Sequence, residues 1–185
     1  MSRSRAQDED GLALNRLDVE ALFRELHPRV YGYVRYRISS VAEAEDLTSE
    51  VLERAFVHLA TYDPRKGAFS TWLFRIAHNT CVNYFKQQGR RNPHHVDLGD
   101  GWDDLATADP GPEQVVVRNE EIARLMACVA TLSQSQQEIL SLRFAGRLTN
   151  REIANVLGMN ERTVSVVILR ALRKLRRQLL TDEWE

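Results

Sequence analysis

Cysteine is almost missing from this chain. Cys81 and Cys128 are the only two in 185 residues, and neither belongs to a CxxC pair or to a His/Cys ligand spacing. A disulfide framework and a structural zinc site are therefore not expected, and a reducing cytoplasm is the natural home. Long apolar runs are lacking too. None approaches the roughly 20 residues that span a bilayer, so no membrane insertion is expected. Met1 to Gly11 is polar and charged and carries no apolar core of the kind a secretory signal needs. Alternating strand patterns of useful length are absent, which leaves an all-α reading.

Catalytic signatures are equally scarce. There is no HExxH, no nucleophile elbow and no phosphate-cradling glycine loop. An enzyme would have to use His78, His94 and His95, but His94 and His95 are adjacent in a proline-flanked, acidic stretch, where neighbouring side chains point apart. We expect no enzymatic activity, no cofactor, no metal and no small-molecule substrate; metal content of the purified protein would test this.

Net charge is only −1, yet the charges are segregated. From Pro64 to Val96 there is no acid and six bases; from Asp97 to Glu113, six acids and no base; from Arg162 to Leu180, again six bases and no acid. Two basic segments flanking an acidic one average to neutrality. Solvated helix faces could produce this, but so would a nucleic-acid surface, since clustered Lys and Arg gain affinity by displacing counterions from phosphates.

Pro93, Gly99, Gly101, Pro110 and Gly111 mark residues 92–113 as an acidic flexible linker between two small helical domains. The reading is a polar tail over 1–16, a first domain over 17–91 and a second over 114–185. In the first, Asp18 can cap a helix carrying Val19, Leu22, Leu26, Val30 and Val34, which Pro28 should kink or interrupt. A second helix runs from about Ala42 to Leu59, with Leu47 and Phe56 on its apolar stripe. After a turn at Asp63 to Gly67, Ser70 or Thr71 opens a third. In the second domain a helix from about Gln114 to Ala130 precedes two capping-box pairs, Ser133 with Gln136 and Thr149 with Glu152. Asn160 can cap a last long helix whose stripe is Val164, Ile168, Ala171, Leu172, Leu175 and Leu179.

Asn150 to Ile168 has the packing pattern of a helix-turn-helix. Ala154 is small where two helices would cross, Gly158 supplies the positive φ of a tight turn, and Leu157, Met159 and Val164 seal the space between. The second helix could then enter a major groove with Arg162, Thr163 and Ser165 near its start. Val166 should fall off the core stripe, where it could meet a thymine methyl; Val167 reads equally well as off-stripe or as part of the core. Tyr62 to Arg91 interleaves six aromatics with the six bases, a combination suited to stacking on unpaired bases. Any single ring there reads as core; the acid-free segment as a whole reads as a nucleic-acid surface.

These motifs give the chain, from about Val19 to Leu180, a resemblance to the extracytoplasmic-function (ECF, group IV) sigma factors. Ala42-Glu43-Ala44-Glu45-Asp46-Leu47 through Phe56 looks like that family's polymerase-binding helix. Tyr62 through Asn79 looks like its promoter-melting segment. Leu132-Ser133 through Phe144, followed by the helix-turn-helix, looks like its second DNA-binding domain. The resemblance implies a subunit that binds core RNA polymerase through Glu43, Asp46, Leu47 and Glu50, with Leu47 buried at the contact. It implies capture of the −10 element of promoter DNA, with bases flipped out, by Lys66, Phe69, Trp72, Arg75, Asn79, Asn83, Tyr84 and Lys86. It also implies reading of the −35 element by Asn160, Arg162, Thr163, Ser165, Val166, Arg170 and Arg173, and restraint by an anti-sigma factor. The chain departs from the family at Ser49, often Gln, at Asn83, often Asp, and at Ser165-Val166-Val167, more usually Lys-Ser-Arg. The alternative is a stand-alone helix-turn-helix regulator. It accounts for the second domain but gives no reason for Tyr62 to Arg91.

Overall fold

The computed structural model describes residues 16–38, 40–89 and 124–181, and among these every regular element is a helix. The tail, the acidic linker, and the start of the helix expected from Gln114 lie outside the described residues. The helices are α1 (Arg16–Arg37), α2 (Val41–Val57), α3 (Phe69–Gln87), α4 (residues 124–130), α5 (Gln134–Phe144), α6 (Asn150–Leu157) and α7 (Glu161–Thr181). Two short 3-10 turns, Leu59–Thr61 and Pro64–Lys66, join α2 to α3.

Local chemistry explains most boundaries. Ser40 Oγ accepts from the Glu43 amide and starts α2. Both expected capping boxes form, at Ser133/Gln136 and at Thr149/Glu152. Gly158 ends α6 in the left-handed region at φ 65°, where a Cβ would be strained. Asn160 Oδ1 accepts from the Arg162 amide at 2.8 Å and opens α7. One expectation at α1 fails: the helix already runs from Arg16, so Asp18 lies inside it instead of capping it. Pro28 does not interrupt the helix, which continues to Arg37. The carbonyl that Pro28 leaves unbonded belongs to Arg24, on an exposed turn where water can satisfy it.

Leu26, Val30 and Val34 of α1, Ala44, Leu47 and Val51 of α2, and Leu73, Phe74 and Ala77 of α3 build the first core. Burial of each larger side chain is worth about 1.5–3 kcal/mol. That cluster continues into the second domain through Ile139, Leu142, Leu148, Ile153 and Val164. The two helical domains therefore pack against each other across a shared apolar seam. Gly146 lies in this seam: a Cβ there would stand 2.6 Å from the Leu142 carbonyl oxygen and 3.1 Å from the Phe74 ring. A smaller cluster of Cys128, Val129, Leu132, Leu140, Ala171 and Leu175 ties α4, α5 and α7 together.

Candidate nucleic-acid interface

α7 has two opposed faces. Val164 and Ala171 are fully buried and Leu175 nearly so. Val167 is half-buried and packs on the core, which settles that residue as structural. On the far side Arg162, Val166, Leu169 and Arg173 recur at steps of four, three and four, all exposed, with Thr163 and Arg170 beside them. Ser165 is not on offer in the same way. Its hydroxyl accepts from Asn150 Nδ2 at 2.9 Å and donates to the Glu161 carbonyl at 3.0 Å. Lys174 is also engaged, donating to the Thr131 carbonyl at the surface. Leu172, expected in the core, is 41% exposed instead. Position 172 lies about 60° to 100° around the helix from Leu175 and Ala171, at the edge of the stripe they define.

On α3, Trp72, Arg75, Asn79, Asn83 and Lys86 share one line at three- and four-residue spacing. Trp72 is half-buried and the other four are exposed. Tyr84 lies off this line; Phe69, three residues before Trp72 and 5.3 Å from its ring, continues it but is turned into the core. Phe69 is buried, edge-on to Phe23 at 5.7 Å and to Tyr62 at 5.2 Å between ring centroids. Tyr84 is half-buried and packs edge-on to Phe85 at 5.4 Å. The preference for core at any single ring thus holds for Phe69, Phe74 and Phe85. Lys66 stays exposed in the turn before α3, while its neighbour Arg65 is paired with Asp63.

On α2 the acids sort unevenly. Glu45, Asp46 and Glu53 are exposed; Glu43 is half-buried at the capped N-terminus, and Glu50 pairs with Arg54 at 2.6 Å. Leu47 does not belong to this face. It is 4% exposed and sits in the core beside Ala44 and Val51, because position 47 falls on the apolar side of the helix. The most exposed apolar groups are Phe56 and Val57, at 65% and 69%, with Val41 at the other end of the helix at 38%. Phe56 was read as part of the stripe. The signal that could have separated them is angular: from Asp46, a step of seven to Glu53 and then three or four to Phe56 or Val57 stays on the outer side.

The domain seam carries polar ties that no spacing rule exposed. Glu138 of α5 sits between Arg37, Tyr33 and His78, accepting from the Arg37 guanidinium and meeting His78 Nδ1 at 2.8 Å. Burial works to raise its pKa, but the His78 hydrogen bond and the Arg37 charge outweigh it and hold the carboxyl below its usual range. Glu152 Oε1 accepts from Ser70 and Thr71 at 3.3 Å each. Arg75 donates to the Asn155 carbonyl at 2.6 Å. The first helix of the helix-turn-helix thus holds one end of the α3 stripe. Among the described residues no group of three or more His, Cys, Asp or Glu could hold a metal ion, and no helix is long and apolar enough to cross a membrane.

Comparison with known proteins matches this arrangement in order and extent. Residues 22–91 match Sigma-70 region 2 and residues 122–175 match Sigma-70 region 4. The ECF RNA polymerase sigma factor BldN of Streptomyces coelicolor is 35% identical over 161 residues, which cover 87% of this chain and 60% of that protein. This chain thus spans less than two thirds of that relative's length. The ECF RNA polymerase sigma factor RpoE of Cereibacter sphaeroides is 29% identical over 85% of this chain and 84% of its own. In fold, the chain is similar to a solved sigma factor RpoE from Bartonella quintana in complex with the anti-sigma factor NepR. The TM-score is 0.67 at 19% identity, covering 89% of this chain and 98% of that one. Two sigma-70 regions in this order, with an ECF relative above 30% identity, show that the chain belongs to the extracytoplasmic-function sigma factors, a family of transcription initiation factors.

Proposed function

We propose that this chain binds core RNA polymerase and directs it to promoter DNA, working in the cytoplasm and catalysing no reaction itself. The observation that carries this is the outer face of α7. A helix-turn-helix presents Arg162, Arg170 and Arg173 away from its core, along a segment with no acid from 162 to 180. Cations placed so can hold phosphates on both sides of a major groove, and the helix between them meets base edges. We assign this face to the upstream, −35, element. The α3 line of Trp72, Arg75, Asn79, Asn83 and Lys86 suits a separated strand: the ring can stack on an unpaired base while the amides and cations hold edges and backbone. We assign it to the −10 element, with Lys66 contributing from the turn. Phe69 and Tyr84 act behind it as support.

Polymerase would dock on the outer side of α2, through Asp46, Glu50 and Glu53 with Phe56 as the apolar anchor. Leu47 supports that helix from within. An inhibitor of the anti-sigma kind fits a second feature, an apolar groove of about 660 Å³ between the domains, lined by Tyr36, Leu125, Phe144 and Leu172.

The test is reconstitution. Core polymerase with this chain should initiate from a cognate promoter, and the chain alone should hardly bind the duplex. A stand-alone regulator would bind duplex specifically without polymerase, and that result would defeat the assignment. Replacing Asp46, Glu53 and Phe56 together by Ala should abolish co-purification with core polymerase while leaving thermal unfolding close to wild type. Leu47→Ala should instead cost about 2–5 kcal/mol of stability.

A further inference from the structure

The centre of the α7 outer face is apolar. Val166 and Leu169 are 39% and 48% exposed, and they stand opposite Val164 and Ala171, which are fully buried. On a helix of 3.6 residues per turn, both lie within about 60° of the direction pointing directly away from the core. Neither belongs to the buried core. Their neighbours along the same line are Arg162 and Arg173, with Arg170 alongside. Of the two hydroxyls beside them, the one on Ser165 is already engaged by Asn150 and by the Glu161 carbonyl, and the one on Thr163 stands at the N-terminal edge of the face. What remains at the middle of this face are two branched aliphatic side chains bracketed by cations.

Such a face fits one occupant by charge and by polarity. The arginines complement two phosphate rows, and between the rows of a B-form major groove the base edges offer a single apolar group, the C5-methyl of thymine. Three residues of helix advance about 4.5 Å, more than one base-pair step of about 3.4 Å and less than two. We propose that Val166 and Leu169 read the methyl groups of thymines on two neighbouring base pairs of the upstream element, on either strand. This rests on the promoter-binding reading above and adds what that reading lacks, the kind of base the helix selects. In this chain, discrimination by shape and methyl contact takes the place of hydrogen bonding to base edges at the helix centre.

The experiment uses the full chain with core polymerase and promoter duplexes carrying a randomised upstream element. Bound complexes are recovered and sequenced, and the enriched element is resynthesised with deoxyuridine at each thymine in turn, which removes the methyl and nothing else. The expected result is two adjacent positions fixed as T·A pairs, each uridine swap weakening the complex about fourfold, the value of one buried methyl-sized group. Val166→Ala and Leu169→Ala should each erase the penalty at one of the two positions and leave the other. Both side chains are exposed, so these variants should fold, and the uridine series needs no variant at all. Enrichment of an element whose uridine versions bind as well as the thymine original overturns this proposal alone. Failure to enrich any sequence, with polymerase present, overturns the promoter reading and this one together.

Discussion

Replacing Glu138 by Ala should cost more than any surface substitution in this protein. The Arg37 side chain is 2% exposed and its partner carboxylate 19% exposed. Removing the acid leaves a guanidinium out of water with no carboxylate, for which about 3–5 kcal/mol is typical. Glu138 is partly solvated, and water entering the vacated space offsets some of that, so the low end applies, about 3 kcal/mol. For a chain of this length that lowers Tm by roughly 6–12 °C. Glu138→Gln keeps the shape and the hydrogen bonds to Tyr33 and Arg37 and should lose about half as much. The decisive comparison is the double variant Arg37→Met with Glu138→Leu, which replaces the pair by apolar groups and should recover most of the loss. Acid titration gives an independent reading. The folded-state pKa of Glu138 is depressed, so its contribution is complete above the unfolded carboxylate range, near pH 4.5, and drains away as pH falls through the folded value. Wild type should therefore lose stability below that range, and Glu138→Gln should show a shallower fall. Urea denaturation across pH measures both. A Glu138→Ala protein with unchanged Tm, or a double variant less stable than Glu138→Ala, would refute the argument.

Other outcomes follow from single contacts. Gly146→Ala should destabilise by about 1–3 kcal/mol by thermal melt, because the new methyl meets the Leu142 carbonyl at 2.6 Å, and a backbone atom cannot swing aside. Gly158→Ala should cost about 1–2 kcal/mol for placing a Cβ at φ 65°. Asn150→Ala should lower stability by about 1 kcal/mol and weaken promoter binding more than non-specific binding, since Asn150 holds Ser165 and with it the set of α7 against α6. Val166→Lys should fold normally and add about one phosphate contact to the salt slope of promoter binding.

Much of this was legible wherever the determinant is local. Capping boxes at Ser133 and Thr149, the left-handed Gly158 and the Asn160 start of α7 depend on residues at most four apart, so the sequence displays them directly. Leu47 and Phe56 show where that stops. Both are apolar on one helix, and only the angular position relative to α1 and α3 decides that Leu47 goes in and Phe56 stays out. Phe69 and Tyr84 are similar: aromatic-basic alternation marks a segment, but partners from other elements decide which rings face outward. The Glu138 cluster was invisible in principle, since Arg37, His78 and Glu138 belong to three helices and share no spacing.

The α3–α6 packing sets a geometric condition on promoter engagement. The −35 and −10 elements are separated by roughly 85 Å of B-form duplex, whereas a compact chain of this size is only ~40 Å across. On the assignments proposed above, with Arg75 held on the Asn155 carbonyl and Glu138 between Arg37 and His78, α7 and α3 cannot occupy both elements at once. The covalent path between Gly89 and Arg124 can reach on the order of 120 Å when extended, so the chain can meet the span only by parting the seam. Promoter length then acts as a ruler that tells the packed form from the working one. A pair of fluorophores on Gln88→Cys and Arg151→Cys, exposed positions outside the seam contacts, in a background with Cys81 and Cys128 replaced, would read the two states as an increase in separation of tens of ångströms.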